Sequence, residues 1–471
     1  MLFNSYIFIF AFFPITFLGY FILNKIKIKN NNRLAKVWLI VASFYFYGFF
    51  HKSYVLIILS SIIVNYTVSK LMLNKKYKKL FFIFGIVFNI LMIGYFKYYD
   101  FFISNINILF RSNFRLLKLM LPLGISFFTF QQISYLIDSY REDYRHNFID
   151  YALFVSFFPQ LIAGPIVLSH EMLPQFEAKD NKRINYKNLY NGLCFFSIGL
   201  IKKTFIADSI SSFAETGFDH LTVLTMAEAW LSSISYTLQL YFDFSGYCDM
   251  AIGIALAFNI VLPLNFNSPY KSRNIQEFWR RWHVTLGRFL GRYLYIPLGG
   301  NRKGHKRTLI NLGIVFLVSG IWHGAGWTFI IWGILHGIAI IIDKILDEKD
   351  IKFNKFIGIF FTFNIVNILW VFFRSENLTK AMVIIKSMFD FSTFSKGLTE
   401  NFENYSAGFF HMSMLVKIVL IVLILVFIAP NSLERIKSKK INKFRLYEMS
   451  IYFVVGILFL DKVSKFLYFN F

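Results

Sequence analysis

The sequence predicts an all-α, polytopic membrane protein with about ten to twelve membrane helices, because apolar runs near the ~20 residues that span a bilayer recur along it. Of the 471 residues, 56% are hydrophobic and 20% are aromatic, which is too apolar for a soluble protein of this length. The first run is too long for a cleavable signal peptide, and no small-residue cleavage site follows it. The clearest runs are residues 2–23, 54–73, 80–98, 327–346 and 414–429.

The distribution of charge predicts the orientation of the chain. Its 50 basic and 26 acidic residues give a net charge of +24, which in a soluble protein would suggest a nucleic-acid partner. Here the basic residues cluster in short segments between apolar runs, as the positive-inside rule describes. Segments 24–36, 74–79 and 432–445 are therefore predicted to be cytoplasmic. We expect a multi-pass protein of the cell membrane, surrounded by lipid, with both termini extracytoplasmic and no nucleic-acid partner.

The chain is predicted to form a single domain, 1–471, because no internal repeat, coiled-coil heptad or low-complexity linker divides it. N-terminal membrane helices are expected at 1–118, and a core with re-entrant and cytoplasmic amphipathic segments at 119–346. C-terminal membrane helices at 347–471 end in an extracytoplasmic tail. The two cysteines form neither a CxxC motif nor a disulfide framework, so thiol chemistry is not expected.

The centre of the chain differs from an ordinary bundle of membrane spans. Seven of the nine prolines lie within residues 122–297, and five of the eight tryptophans lie within 279–332. Segments 157–167 and 262–270 place prolines inside apolar runs, and backbone freed at membrane depth needs partners from protein or water. We expect re-entrant segments around a cavity, although kinked spans without a cavity would give the same pattern.

The densest basic stretch is segment 268–307, with ten Lys or Arg and one Glu. It is predicted to contain an amphipathic helix at the cytoplasmic surface, followed by a turn at 295–300. Composition alone favours contact with lipid headgroups, but arginines also suit an anion rich in phosphate, such as coenzyme A. The aromatic face includes Trp279 and Trp282, and the basic face consists of Arg281, Arg288 and Arg292.

Residues 319–337, SGIWHGAGWTFIIWGILHG, have the composition of a membrane helix but contain two histidines. If residues 323 to 336 form one helix, His323 and His336 lie ~20 Å apart and cannot share one reacting atom. Gly320 and Gly333 each begin a Gly-x-x-x-Gly pattern. That pattern supplies a small face for close helix packing and needs no catalytic explanation.

His283 is the better partner for His323, since a re-entrant chain can bring the two close. Three interpretations stay open: structural hydrogen bonds across helices, ligation of haem or metal, or a general base in a buried tunnel. No carboxylate–histidine cluster or CxxCH motif accompanies these histidines, so we expect no metal. A neutral imidazole suits the third role, because its pKa of ~6.5 lets it accept a proton near neutral pH, and ionisable groups at membrane depth usually mark function.

Four segments together resemble the membrane-bound O-acyltransferase (MBOAT) family, most closely its bacterial branch of alginate and peptidoglycan O-acetyltransferases. They are PLGISFFTFQQISYLIDSYR, FFPQLIAGPI, the stretch from YTLQLYFDFSGYCDM to YIPLGGNRKG, and GIWHGAGWTFIIWGILHG. The resemblance runs over residues 122–337. It implies a ring of membrane helices around a central tunnel that holds a histidine, which makes 119–346 the catalytic core.

The resemblance also implies roles for individual residues. His323 of the W-H-G motif corresponds to the catalytic base, and His283 of FWRRWH orients it or binds the carbonyl. His336 is a secondary candidate. The donor would be acetyl-CoA as a substrate, with no bound cofactor. The residues expected to bind it are Arg281, Arg288, Arg292, Trp279, Trp282 and Trp322.

The tail KFLYFNF, residues 465–471, resembles the F-x-Y-x-x-F ending of bacterial MBOAT systems, in which the tyrosine is thought to accept the acyl group. Tyr468 is therefore a candidate relay, and an aromatic belt at the outer membrane surface is the alternative. The relay would pass the acetyl group to a partner serine, in an extracytoplasmic SGNH-type acetyltransferase or esterase. The final acceptor would be a cell-surface polysaccharide.

Two alternatives to acetyl transfer stay open. The nearer is D-alanyl transfer to teichoic acid from a carrier-protein thioester, although that branch tends to be shorter. The more remote is a transporter, in which broken helices and intramembrane histidines serve ion passage. The paired, symmetric broken segments of inverted repeats are missing from this sequence.

Overall fold

The computed structural model describes residues 1–26, 31–142, 146–406, 412–438, 443–460 and 466–467. Over these residues the regular structure is helical and no β-strand occurs, which confirms the all-α prediction.

Five helical segments of the described chain are long and apolar enough to cross a membrane, judged by length and composition. They overlap four of the five clearest predicted runs, and the fifth run corresponds to a shorter apolar helix, Ser413–Ile428. The predicted total of about ten to twelve spans is not confirmed. The five segments are Phe8–Lys25, Lys52–Leu71, Lys78–Phe110, Trp327–Glu348 and Lys355–Arg374.

The chain forms two compact units. The first comprises Met1–Ser197 and Tyr247–Pro263, and the second comprises Ile198–Gly246 and Leu264–Phe471. The sequence predicts one functional domain with regions 1–118, 119–346 and 347–471. The division into compact units does not bear on function or on membrane orientation, so this domain description stays a prediction.

The first unit contains most of the N-terminal helices. A π-helix, Phe8–Phe12, leads into the first α-helix, and a second π-helix, Gly94–Tyr98, continues Lys78–Ile93. The α-helices that lie wholly in this unit are Phe13–Lys25, Asn31–Gly48, Lys52–Leu71, Lys78–Ile93, Tyr99–Phe110, Ile125–Glu142, Phe148–Ser156, Phe158–Leu161 and Ser169–Glu177.

Buried amides link four helices of the first unit. The Asn89 side-chain amide donates to Asn65 Oδ1 at 2.6 Å, and the Gln132 amide donates to Ser61 Oγ at 2.8 Å. Tyr151 OH in turn donates to Gln132 Oε1 at 3.0 Å. Hydrogen bonds of this kind hold membrane helices together because lipid offers these groups no alternative partner.

The expected interruption at 157–167 is present. Helix Phe148–Ser156 ends at Phe157, a four-residue helix Phe158–Leu161 follows, and residues 162–168 have no helix. The whole stretch is buried. Ser43 Oγ accepts the backbone N–H of Phe158 at 3.1 Å, so protein satisfies one of the freed groups, as membrane depth requires.

The second unit contains the remaining helices and the three histidines of interest. Helices Tyr186–Ile201 and Met226–Ala257 contribute residues to both units. The other α-helices of the second unit are Asp208–Glu215, Ile275–Arg281, Val284–Leu290, His305–His323, Trp327–Glu348, Lys355–Arg374, Leu378–Met388, Glu400–Ser406, Met412–Ile428, Ser432–Ser438 and Lys443–Leu458.

Residues 323–336 do not form one helix, so the separation of ~20 Å that applies to a continuous helix does not hold here. Helix His305–His323 ends before Gly324, and a new helix, Trp327–Glu348, begins after Gly326. The two glycines adopt extended backbone, which turns the chain back on itself. The two helices then pack against each other as a hairpin.

The hairpin confirms the predicted close packing at glycine. A Cβ added to Gly320 would lie 2.5 Å from the Phe329 carbonyl oxygen and 3.0 Å from Gly333 Cα. A Cβ added to Gly333 would lie 2.6 Å from the Phe316 carbonyl oxygen. The backbones therefore cross so closely that neither position has room for a side chain.

The predicted amphipathic helix within 268–307 is not continuous. It forms two short helices, Ile275–Arg281 and Val284–Leu290, and a π-helix, Gly291–Tyr295, before the predicted turn, which is confirmed. Five of its apolar side chains are buried within the protein, so contact with lipid headgroups does not explain these five. The buried side chains are Phe278, Trp282, Leu286, Phe289 and Leu290.

Replacing Gly320 with alanine should destabilise the hairpin, because the new methyl group would overlap backbone atoms of the facing helix. Overpacking of this kind costs about 1–3 kcal/mol, so we expect a clear fall in the melting temperature of the detergent-solubilised protein. Gly313→Ala, on the same helix, is the matched control, since its Cβ would meet only Ile341 Cδ1 at 3.8 Å. Equal melting temperatures for the two variants would contradict the close crossing.

Candidate active site

His283 lies where the chain changes direction between helices Ile275–Arg281 and Val284–Leu290. Its backbone is left-handed, with φ of 45° and ψ of 51°. Histidine is one of the few residues besides glycine that adopt this conformation with some frequency, and such positions often belong to functional sites. The residue is 1% exposed, so the turn places its imidazole inside the protein.

Asn265 fixes the protonation pattern of this imidazole. Its Oδ1 accepts the Thr285 backbone N–H at 3.3 Å and the Thr285 hydroxyl at 2.9 Å, which identifies this amide atom as the oxygen. His283 Nδ1 lies 3.1 Å from the same oxygen. Because an amide oxygen only accepts hydrogen bonds, Nδ1 must carry the proton. In the neutral ring, Nε2 is then the proton acceptor.

Asn265 comes from the irregular segment 260–268, and the Val284 backbone N–H also donates to its carbonyl oxygen at 3.0 Å. Sequence reasoning missed this residue. The only available signal was a polar side chain inside the apolar, proline-interrupted stretch LPLNFN.

His323 is the last residue of helix His305–His323, and it lies beside His283 as predicted. The two ring centroids are 6.4 Å apart, and His323 is 3% exposed. Trp332 and Phe373 pack edge-on against its ring, with centroid distances of 5.1 and 5.3 Å. The two imidazoles are therefore neighbours in a buried, aromatic setting.

Two of the predicted tryptophans have different surroundings. Trp322 contacts both imidazoles, with centroid distances of 4.9 Å to His323 and 6.2 Å to His283. Trp282 instead packs among aromatic rings, including Phe278 and Trp370 at 5.6 and 5.1 Å. Its position indicates a core residue rather than a contact for a ligand.

His336 is fully buried one ring away from His323. Trp332 packs against both imidazoles, at 5.1 Å from His323 and 4.9 Å from His336. The Trp279 indole N–H donates to His336 Nδ1 at 3.3 Å. His336 is thus held by tryptophans behind the His283–His323 pair, which suits a supporting position.

A cavity of about 550 Å³ is lined in part by His283. Its wall combines apolar side chains with two arginines, Arg280 and Arg288, so it can hold an elongated ligand with an anionic group. Arg280 was not among the predicted residues. Other lining residues are Gln276, Trp279, Leu286, Gly287, Gly291, Tyr295, Val315, Phe316 and Ser319.

The other predicted arginines make different contacts. Arg281 donates to Glu277 Oε1 through Nε at 3.0 Å and Nη2 at 2.8 Å, and to the Asn267 carbonyl oxygen at 3.1 Å. Arg292 lies over the Tyr293 ring at 5.6 Å. Burial raises the pKa of the Glu277 carboxyl, but the Arg273 backbone N–H and the Arg281 guanidinium outweigh it and hold that pKa below its usual value. The Glu277 carboxylate therefore stays charged and accepts hydrogen bonds from the Arg281 guanidinium.

The third predicted catalytic residue, Tyr468, lies outside the described residues. Phe466 and Leu467, which precede it, are described, and they contact Lys203 and Asp243 within the second unit.

Comparisons with known proteins agree on one family. Residues 141–379, which include all three histidines, match the model of MBOAT, the membrane-bound O-acyltransferase family. The chain is 45% identical over its whole length to the peptidoglycan O-acetyltransferase of Helicobacter pylori, 98% of which is covered. It is 39% identical over 83% of its length to the probable alginate O-acetylase of Pseudomonas aeruginosa, 76% of which is covered. Similarity to the teichoic acid D-alanyltransferase of Bacillus subtilis is lower, at 27% identity over 49% of the chain and 61% of that relative.

Proposed function

Because this chain belongs to the membrane-bound O-acyltransferase family, we propose that it moves an acetyl group from cytoplasmic acetyl-CoA across the membrane for O-acetylation of a cell-surface polysaccharide. It is an O-acyltransferase and a multi-pass membrane protein. The observation that carries the proposal is the buried His283–His323 pair, of which His283 lines a cavity that also contains two arginines. Similarity over the full chain to a peptidoglycan O-acetyltransferase favours peptidoglycan over alginate as the polymer.

The D-alanyl alternative has weaker support, because the teichoic acid relative shares only 27% identity over 49% of the chain. Membership of an acyltransferase family also removes the support for a transporter. The proposal includes the predicted extracytoplasmic location of the N-terminus and of the C-terminus. In this arrangement the donor enters from the cytoplasm and the acetyl group leaves on the outer side.

The donor is proposed to lie in the cavity, with its phosphates near Arg280 and Arg288 and its thioester near His283. His323 removes the proton from an attacking hydroxyl oxygen as that oxygen bonds to the thioester carbonyl carbon. The carbon–sulfur bond then breaks, and the coenzyme A thiolate leaves and takes up a proton. Burial favours neutral imidazoles before reaction, since a charged ring would lose its hydration.

The tautomer of His283 supports one of its two expected roles. With its proton on Nδ1 and bonded to Asn265, the neutral ring has no N–H for a carbonyl oxygen. Nε2 instead accepts a proton or a hydrogen bond, so His283 would orient His323 and stabilise its protonated form. Such a pair keeps the transferred proton inside the protein while water is excluded.

Tyr468 is proposed to be the first acceptor. Its phenol oxygen would attack the thioester, and the resulting aryl ester would be reactive enough to pass the acetyl group to a serine of an extracytoplasmic SGNH-type partner. The F-x-Y-x-x-F pattern of the tail supports this step.

His323→Ala should lower acetyl transfer at least ~100-fold, because it removes the base. Transfer of labelled acetyl groups from acetyl-CoA is measured with purified protein in proteoliposomes. His305→Ala is the matched control, since His305 begins the same helix and is exposed. A properly folded His323→Ala protein with wild-type transfer would exclude His323 as the base.

Arg288→Gln should raise the KM for acetyl-CoA about 10-fold, because it removes a charge-assisted contact with a phosphate. Arg280→Gln should act in the same direction. Arg281→Gln is the comparison, since Arg281 is bonded to Glu277. This substitution should change the melting temperature more than the KM. If Arg281→Gln alone raised the KM for acetyl-CoA, the cavity would be excluded as the donor site.

Tyr468→Phe should abolish acetylation of the polymer while leaving acetyl-CoA binding intact, because it removes only the hydroxyl. Mass spectrometry of the C-terminal peptide should find acetyl-tyrosine in the wild-type protein only. Tyr447→Phe, in the exposed part of helix Lys443–Leu458, is the control. Wild-type polymer acetylation by Tyr468→Phe, without acetyl-tyrosine in either protein, would mean that the polymer or its partner reaches His323 directly.

A further inference from the structure

We infer that a buried ion cluster, formed by Lys203, Asp208 and Asp243, is a docking site for the C-terminal tail of the same chain. The docking itself is argued from the described residues alone. Its importance for catalysis rests on the proposed function, because the tail carries Tyr468.

The cluster has one cation between two carboxylates. Lys203 Nζ lies 2.5 Å from Asp243 Oδ1 and 2.8 Å from Asp208 Oδ1. The side chains of Lys203 and Asp243 are each 2% exposed. Charges this deep in a membrane protein are costly and are kept where they serve a task. No step proposed for acetyl transfer uses this cluster.

Two successive tail residues complete the cluster. The Leu467 backbone N–H donates to Asp243 Oδ2 at 3.1 Å, on the carboxylate oxygen that Lys203 does not engage. The Phe466 ring, which is buried, lies under the Lys203 ammonium with its centroid 4.9 Å away. One contact holds the backbone and the other selects an aromatic side chain, so together they fix the register of the tail.

The local backbone positions Lys203 for this task. Helix Tyr186–Ile201 passes into a π-helix, Lys202–Ala207, and the extra residue per turn alters the direction of the side chains that follow. Single π-helical turns of this kind occur frequently at functional sites. The Thr204 hydroxyl donates to the Gly456 carbonyl oxygen at 2.9 Å, which ties this turn to the helix that precedes the tail.

The cluster is next to the candidate active site along the chain. Asp243 is followed by Phe244, whose ring packs edge-on against His283 at 5.0 Å. Leu467 is followed by Tyr468. The helix that supports His283 therefore also holds the tail by the residue that precedes the proposed relay.

A polar face extends from the cluster along helix Met226–Ala257. Ser232, Tyr236 and Asp243 share this face, since they are spaced by four and seven residues. The hydroxyls of Ser232 and Tyr236 are buried, and neither has a hydrogen-bond partner among the residues that the structure describes. Both side chains are fully covered by the described chain, Tyr236 by the Phe218 ring at a centroid distance of 5.7 Å, so the polar face continues into the protein interior beyond the cluster.

Lys203 and Asp243 are thus positioning residues, and their role can be measured without an activity assay. Leu467→Cys, which keeps the backbone N–H, is introduced into the full-length protein with Cys194 and Cys248 changed to serine. The rate of labelling by a hydrophilic maleimide reports how firmly the tail is held. Phe466→Ala in this background should raise the rate about 10-fold, because it removes the contact with Lys203.

Cluster variants test the other side of the contact. In the same background, Lys203→Met should also accelerate labelling of the thiol at position 467. Lys203→Arg should leave labelling slow, since it keeps a cation over the Phe466 ring. Phe444→Ala, at an exposed position in helix Lys443–Leu458, is the control and should leave labelling slow. If Lys203→Met does not fold, the Phe466→Ala result still decides. Equal labelling rates for the parent and Phe466→Ala would overturn the docking site.

Acetyl transfer separates this inference from the proposed function. Phe466→Ala should lower kcat and leave the KM for acetyl-CoA unchanged, because the tail and not the donor is misplaced. If Phe466→Ala accelerates labelling but Tyr468→Phe remains fully active, the docking site stands and the acetyl-tyrosine relay is wrong. If Tyr468→Phe is inactive but Phe466→Ala does not change labelling, the relay stands and docking at this cluster is wrong.

Discussion

The hydrogen bond between His283 and Asn265 is the contact on which the candidate site depends. It joins two segments without regular helix, and a protein that places such segments at membrane depth must supply their partners itself. Asn265 does so by accepting from His283 and from Thr285 with one oxygen atom. The same contact determines which imidazole nitrogen carries the proton and which one is left as an acceptor. Without it, the ring could rotate or change tautomer, and the site would lose its defined acceptor.

Local patterns in the sequence predicted those parts of the fold that depend on residues close together in the chain. Hydropathy located the apolar helices, and the glycine spacing located the crossing of Gly320 and Gly333, because both depend on residues within one or two turns. The break at His283 was missed, since the helical periodicity of the side chains continues across it. Only the surrounding packing shows that the backbone leaves the helix there.

The site was predicted in outline and not in its contacts. Resemblance to a family indicated His283 and His323, and the structure brings their rings to 6.4 Å. It could not distinguish Arg288, on the cavity wall, from Arg281, bonded to Glu277, because both lie on the same short basic stretch. Asn265 and Asp243 also escaped prediction. Each acts on a residue well separated from it in sequence, and no single-sequence pattern reports such a pairing.

The left-handed backbone at His283 limits which amino acids can stand there. A β-branched or bulky side chain would be strained in this conformation, whereas glycine, asparagine, aspartate and histidine adopt it with little penalty. Glycine has no functional group, and aspartate would bring a charge into a buried site. The backbone conformation thus favours a few residue types at this position, and the need for an uncharged functional group in a buried site leaves histidine and asparagine as the best suited of them. The backbone therefore limits which residues could replace His283 in the candidate site.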